Sequence, residues 1–261
     1  MEIIILIKQI PDPEIPPASF KIDPTDNRVV PPAGVAPVID PYSEHALEAA
    51  LRLKDANPGS RVKAISLGAG LNRDLLKKTL ALGADELILL DDTTMAESGD
   101  TARILALAIT KAGPFDLILA GRQSADWDNG QTGALVAAEL DLPVISRARK
   151  IESAAGRLRI EKLTENGYDV LDAPMPAVIT VTAELGKLRL PNIKGVLAAK
   201  KKEPLYWTGA DIGYEPAPVA GARLIRLYQP AREARCEPIP GETPEEQGAN
   251  LALKLRELKL I

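Results

Sequence analysis

Asp116-Leu-Ile-Leu-Ala-Gly121-Arg-Gln-Ser-Ala-Asp126-Trp-Asp128-Asn-Gly130-Gln-Thr-Gly133 is the stretch on which the reading of this chain turns. Leu117 to Ala120 is a short apolar run, as expected of a strand buried on both faces. Ala134 to Leu140 reads as an amphipathic helix. Between them stand glycines, hydroxyls, amides and an arginine. The order is strand, loop, helix N-terminus. Free backbone N–H groups and the positive end of a helix dipole converge at such a junction and suit an anion such as a phosphate. Gly130 and Gly133 allow close backbone approach. Thr132 can cap the helix or donate its hydroxyl to a phosphate oxygen. An ordinary capped turn between strand and helix uses the same residues, so both readings stand at this point.

The same alternation extends through the first half of the chain. Ile3 to Ile7, Arg61 to Leu67 and Asp85 to Leu90 read as further buried strands. Ser43 to Lys54, with Ser43 as N-cap, reads as a helix. So do Asn72 to Leu82, closed by Gly83, and Thr101 to Ala112. Leu142 to Ser146 opens another strand. This spacing predicts an α/β fold with a doubly wound, mostly parallel sheet. Ligands in such sheets lie outside the carboxyl ends of strands, where the strand order reverses. Pro11 to Pro41 is too broken for a long helix, but Ser19 to Ile22 and Arg28 to Val30 can pair about Asp26-Asn27.

The pattern changes after Ser146. Residues 149–163 read as an antiparallel hairpin about Ala155-Gly156. Tyr168 to Leu171 adds a short strand and Pro176 to Thr182 a buried one, giving antiparallel edge strands. Leu188 to Lys202 reads as a loop leading into a short helix. The expected division is a nucleotide-binding α/β domain over 1–202 and an extended C-terminal arm over 203–261. The proline-rich 203–240 has little period. Thr243 and Pro244 open a last helix carrying Leu251, Leu253, Leu255 and Leu258. An arm with little core of its own suits wrapping a partner, so the isolated chain is expected to be poorly stable.

Composition narrows the chemistry. The chain has 261 residues and a net charge of -4, which gives no global basic footprint for nucleic acid. Cys236 is the single cysteine and His45 the single histidine, which rules out a disulfide framework and clustered thiolate or imidazole metal sites within the chain. No apolar run is long enough to cross a bilayer. The first residues read as a strand rather than a signal peptide, so a cytoplasmic protein is expected. Asp126 and Asp128 as an acid–base pair is a weak reading, because acids beside a phosphate repel it unless they face away or bond amides and hydroxyls.

Several segments, in order and spacing, resemble the beta subunit of electron transfer flavoprotein and its nitrogen-fixation-associated relatives. They are Lys8-Gln9 after the first strand, Asp40-Pro41-Tyr42-Ser43-Glu44, Ala81-Leu-Gly-Ala-Asp85, and Gly121-Arg-Gln with Asp126-Trp-Asp128-Asn-Gly-Gln131-Thr-Gly133. Leu190-Pro-Asn-Ile193 precedes the lysine run 200–202. The resemblance spans the chain. It implies an electron-carrier subunit rather than a stand-alone enzyme, paired with an alpha subunit that holds the redox-active FAD. The heterodimer would take electrons from flavin dehydrogenases and pass them to an acceptor such as a quinone oxidoreductase.

The resemblance also implies a nucleotide site. Leu6 would lie against adenine. Asp40, Pro41, Tyr42 and Ser43 would flank base and ribose, and Leu67 would end the second strand beside them. The segment Gly121, Arg122, Gln123, Ser124, Ala125, Asp126, Trp127, Asp128, Asn129, Gly130, Gln131 and Thr132 would wrap the phosphate. Plain core packing is the alternative for Leu6 and Leu67. Leu190 matches an apolar anchor for partner dehydrogenases, with folding onto its own domain as the alternative. The lysine run is either a solvated helix end or a steering patch.

Most members of that family bury AMP here, and bifurcating members hold a second FAD and meet NADH. Gln131-Thr-Gly133 is closer to the AMP-holding members. Trp127 stands where the bifurcating branch usually has glycine, and it can shield a flavin, stack on adenine or pack. Arg122-Gln123 and the Asp-x-Asp spacing also occur among flavin-binding relatives. Leu163 departs from a glutamate that respiratory members carry near the partner interface. A nucleotide module of another class, such as an ATP-binding stress-type protein or a pyrophosphatase-like enzyme, shares the sheet. Its usual glycine run after the first strand is missing here.

Overall fold

A computed structural model describes residues 1–25, 27–91, 97–154, 156–215, 224–230 and 236–261. Met1–Leu227 forms one compact unit and Tyr228–Ile261 a second. The first unit is built on β1 (Glu2–Ile7), whose alternate residues face opposite ways. Ile3, Ile5 and Ile7 enter one core, while Ile4 and Leu6 enter another. Short β2 (Gln9–Ile10), β3 (Lys21–Asp23), β4 (Arg28–Val30) and β5 (Val38–Ile39) follow, and they form two small antiparallel ribbons, β2 with β5 and β3 with β4. The expected pairing of residues 19–22 with 28–30 shifts to Lys21–Asp23, and Asp26 of its turn lies outside the described residues.

Helix α1 (Pro41–Ala56) starts two residues before the expected position. Asp40 rather than Ser43 is its N-cap, accepting a bond from the Ser43 amide, and Pro41 takes the first helical position, where its missing N–H is not needed. After β6 (Arg61–Gly68), the helix expected over 72–82 is two short ones, α2 (Arg73–Leu76) and α3 (Lys78–Leu82), joined at Lys77. Strand β7 (Glu86–Asp91) and helix α4 (Ser98–Ala112) come next, and then β8 (Leu117–Gly121) and α5 (Thr132–Glu139). Helix α5 therefore takes in Thr132 and Gly133. Thr132 stands at its first position and is not its cap.

Beyond α5, the strand expected to open at Leu142 and the first arm of the expected hairpin are one continuous strand, β9 (Val144–Ala154). Arg147 takes a left-handed conformation inside it, with φ of 62°. Strands β10 (Arg157–Thr164), β11 (Gly167–Ala173) and β12 (Ala177–Val181) follow, and then α6 (Ile193–Lys200). Strand β13 (Leu205–Trp207) lies within the segment expected to be an irregular arm, but it pairs with β7 through Leu205 and Ile88. Ile212, shortly after it, is buried in the core shared with α4.

Among the described residues the main sheet has nine strands, in the order β11-β10-β9-β12-β8-β1-β6-β7-β13. From β9 to β13 every pair is parallel, and β10 and β11 add the antiparallel edge. Residues from α1, α2 and α3 join the core on one face, and residues from α4 and α5 join the core on the other. The fold is thus a doubly wound, mostly parallel α/β sheet with antiparallel edge strands. β1 is followed by a helix on one face and β8, its neighbour, by a helix on the other. The carboxyl ends of β1 and β8 are therefore the switch point where such sheets form a crevice. In the second unit, α7 (Pro244–Glu257) is capped by Thr243, and among the described residues none of this helix is fully buried.

Candidate functional site

A cleft of about 920 Å³ opens at that switch point. Strand β1 contributes Leu6 and β6 contributes Leu67, as expected of strand ends. Leu6 is also 7% exposed and packs in the core, so packing and cleft lining coexist in one side chain. Gly121 comes from the end of β8, and Arg122, Gln123, Ser124, Asp126, Trp127, Asn129, Gly130 and Gln131 from the loop after it, with Thr132 at the start of α5. Asp40 and Ser43 complete the group from the start of α1. Pro41, Tyr42, Ala125 and Asp128 do not line the cleft, although all four were expected beside the ligand.

Residues in and behind that lining together hold the wall. Asp40 is 1% exposed. One of its oxygens accepts from the Ser43 amide at 2.9 Å and from the Ser43 hydroxyl at 3.1 Å. Its other oxygen accepts from the Ala125 amide at 2.9 Å. Burial raises its pKa above the ordinary value, while the bonds from Ala125 and Ser43 pull the other way. One carboxylate thus caps α1 and ties the glycine loop to it. Tyr42 works beside it: its hydroxyl accepts from Gln123 Nε2 at 3.1 Å, and the Arg122 guanidinium lies 5.7 Å from its ring centre. A Cβ on Gly121 would stand 2.8 Å from the Tyr42 carbonyl carbon, so only glycine lets β8 end against α1.

The loop satisfies its own acids. Asp126 accepts from Lys8 Nζ at 2.7 Å and from the Trp127 amide at 2.9 Å. Lys8 Nζ also donates to the Ser124 hydroxyl at 3.2 Å. Asp128 accepts from Gln123 Nε2 and sits at φ of 58°, with its amide bonded to the Ser124 carbonyl at 2.9 Å. This meets the electrostatic objection to these two acids, because Lys8 compensates the Asp126 charge and Gln123 donates to Asp128.

The open end of the cleft is set by helix starts. Gln131, the N-cap of α5, makes no side-chain cap bond. Gly133 lets α5 sit on β12, since a Cβ there would lie 2.5 Å from Thr180 Cγ2. Across the cleft, Ser98, Gly99 and Thr101 at the start of α4 also line it. Asn129 Nδ2 donates to Ser98 Oγ at 3.2 Å and links the two helix starts. Lys8, Gln9, Gly68 and the α4 start were missed as site residues. The rule that ligands gather at strand ends points to Lys8, Gln9 and Gly68, whereas the α4 start needs the strand order.

Leu190 lies away from this cleft. It is 90% exposed on the loop before α6, and Ile193 beside it is 81% exposed. It is therefore not folded onto its own unit. Lys202 of the basic run donates to the Ala84 and Asp85 carbonyls, so it is bound rather than freely solvated. Among the described residues, no helix is long and apolar enough to cross a membrane.

Residues 29–211 match the model of the electron transfer flavoprotein domain family. The chain is 32% identical to the caffeyl-CoA reductase-Etf complex subunit CarD of Acetobacterium woodii, over the full length of both. It is 38% identical to the electron transfer flavoprotein subunit beta of Megasphaera elsdenii, over 78% of this chain and 76% of that one. It is 32% identical to protein FixA of Azorhizobium caulinodans, over 90% of this chain and 86% of the relative.

Proposed function

The chain belongs to the electron transfer flavoprotein family as a beta-type subunit acting in electron transfer, and we propose that its cleft binds AMP as a structural nucleotide. The observation that carries this reading is the start of α5, where Thr132 and an N-cap without a side-chain bond face the cleft. Backbone N–H groups there lack intrahelical partners and suit a phosphate, and the Thr132 hydroxyl can donate to the same group. Leu6 and Leu67 supply the apolar walls that a base requires. The residues present fit the nucleotide in donor type, with Asp126 paired to Lys8, Asp128 held by Gln123 and Asp40 bonded to backbone amides.

The subunit does no redox chemistry in this reading. It pairs with an alpha subunit whose FAD supplies the electron transfer, and the heterodimer passes electrons from a flavin dehydrogenase to an acceptor such as a quinone oxidoreductase. This chain orients and shields the nucleotide, and Asp40 ties the cleft wall to α1. Leu190 serves as the apolar contact for the dehydrogenase. The full-length likeness to a subunit named for a reductase-Etf complex supports work within such an assembly.

A second reading has the same cleft hold a second FAD, as in a bifurcating complex that meets NADH. It is favoured by the cleft volume of about 920 Å³, which is near the upper end for small-molecule sites. The test is to co-express the chain with its alpha subunit, denature the purified heterodimer and identify the released nucleotides by chromatography and mass. One FAD and one AMP per heterodimer supports the first reading. Two FAD and no AMP overturns it in favour of the second. ATP, or a chain that stays monomeric without nucleotide, overturns both.

A further inference from the structure

Helix α1 carries a polar stripe that the nucleotide site does not use. His45, Glu48, Arg52 and Asp55 recur at intervals of three, four and three, so they share one helix face. All four engage the loop that leads to Leu190. His45 Nδ1 lies 2.9 Å from the Gly186 carbonyl oxygen. Arg52 Nη1 donates to the Leu185 carbonyl at 2.6 Å, and its Nε donates to Glu48 at 2.9 Å. Glu48 is 4% exposed, yet both of its oxygens are used. It accepts from the Arg189 amide at 3.1 Å, from Nε at 3.0 Å and from Nη2 at 3.2 Å. Asp55 takes Arg189 Nη1 at 2.7 Å. Gly186 has φ of 117°, and a Cβ there would meet Arg52 Nη2 at 2.6 Å, so the loop also lies close to the helix.

This is a large amount of charge-assisted bonding for one short surface loop. A buried carboxylate with a forked guanidinium is also a poor stabiliser compared with apolar packing, so its geometric role is the more informative one. The residue following the clamped Arg189 is Leu190, the most exposed of the large apolar side chains described. Exposing leucine to water is unfavourable, and the bonds to α1 fix the backbone from which it projects. We infer that His45, Glu48, Arg52 and Asp55 form a latch that grips residues 185–189 and holds Leu190 out as a preformed anchor for the hydrophobic pocket of a flavin dehydrogenase. They are positioning residues, acting through the loop. Preorganisation removes the ordering cost from each encounter, which suits a carrier that must bind and release repeatedly.

The latch rests on the reading of Leu190 as the dehydrogenase contact, and the test keeps the two apart. Heterodimers of this chain with its alpha subunit would be prepared unmodified and as Arg189→Ala, Glu48→Gln and Leu190→Ala, with bound flavin per heterodimer as the check on folding. Hydrogen exchange is followed in the peptide covering 185–192, and reduction of the heterodimer is followed with the cognate flavin dehydrogenase. Arg189→Ala and Glu48→Gln are expected to speed exchange of that peptide about tenfold, the scale of losing a charge-assisted hydrogen bond. They should raise KM several-fold with kcat little changed. Leu190→Ala should raise KM without speeding exchange. Unaltered exchange in both Arg189→Ala and Glu48→Gln overturns the latch. Unaltered KM in Leu190→Ala overturns the docking reading, while the exchange result still decides whether the loop is latched.

Discussion

Asp40 shows how one side chain can join an element to a loop. Its two oxygens serve the Ser43 and Ala125 amides separately, so an amide in its place keeps one acceptor oxygen of the two. Asp40→Ala is expected to destabilise the subunit by about 2–3 kcal/mol, combining a lost cap with a lost bond to a buried acceptor. Asp40→Asn, which keeps one carbonyl oxygen, should lose about half of that. Chemical denaturation of the heterodimer gives both values. Thr132→Val keeps the shape at the start of α5 but removes the hydroxyl. It should weaken nucleotide retention about tenfold, read from the nucleotide remaining after dialysis. The Asp40 carboxylate and the Thr132 hydroxyl are both plain in the sequence. That Asp40 reaches Ala125 is not, because 85 positions separate them along the chain.

At the scale of elements, α5 and β12 meet through Gly133 and Thr180. Gly133→Ala places a methyl group against Thr180 Cγ2 and should destabilise by about 1–3 kcal/mol, the usual range for overpacking. Thr180→Ser removes the opposing methyl but keeps the hydroxyl that accepts from the Arg147 amide at 3.1 Å. The double variant should recover much of the loss, and a double-mutant cycle by thermal melting measures it. Helix α1 carries a pH dependence through Glu48. Burial pushes this carboxyl up, but the bonds from Arg189 and Arg52 outweigh it and hold the pKa below its ordinary 4.5. A depressed folded pKa means that the stabilisation is fully present above about 4.5 and is lost as pH falls through the folded value. Exchange in the peptide 185–192 should therefore stay constant from neutral pH down to that point, after correction for intrinsic rates, and accelerate below it.

For the whole molecule, the two units behave differently. Met1–Leu227 has cores on both faces of its sheet, whereas α7 in Tyr228–Ile261 has no buried residue. Leu253 is 64% exposed and Leu258 is 56% exposed. A helix with no fully buried residue is only marginally stable in water. Backbone amides of 244–257 should exchange rapidly in the isolated chain and slowly in the heterodimer. Deleting 228–261 should weaken the heterodimer, as measured by analytical ultracentrifugation. Equal exchange in both states would count against this segment as a partner-wrapping arm.

The alternation of apolar runs with 3.6-period helices was enough to specify a doubly wound sheet and its main strands, because burial on two faces leaves a local imprint. Local chemistry also located the loop after β8 and the cap at Thr243. Helix starts were less legible: α1 begins at Pro41 and α5 at Thr132, where competing caps stand a few residues apart. Position in space belonged to the tertiary structure. Strand order set β1 beside β8 and so chose which loops share a cleft. β13 joined the sheet from a segment with no visible period, because three residues on a partnered edge need only backbone bonds. The stripe from His45 to Asp55 is polar, and nothing adjacent to it in the sequence says what it meets. Only the folded chain brings residues 185–189 against it, since contacts between distant segments depend on the packing of the sheet that separates them.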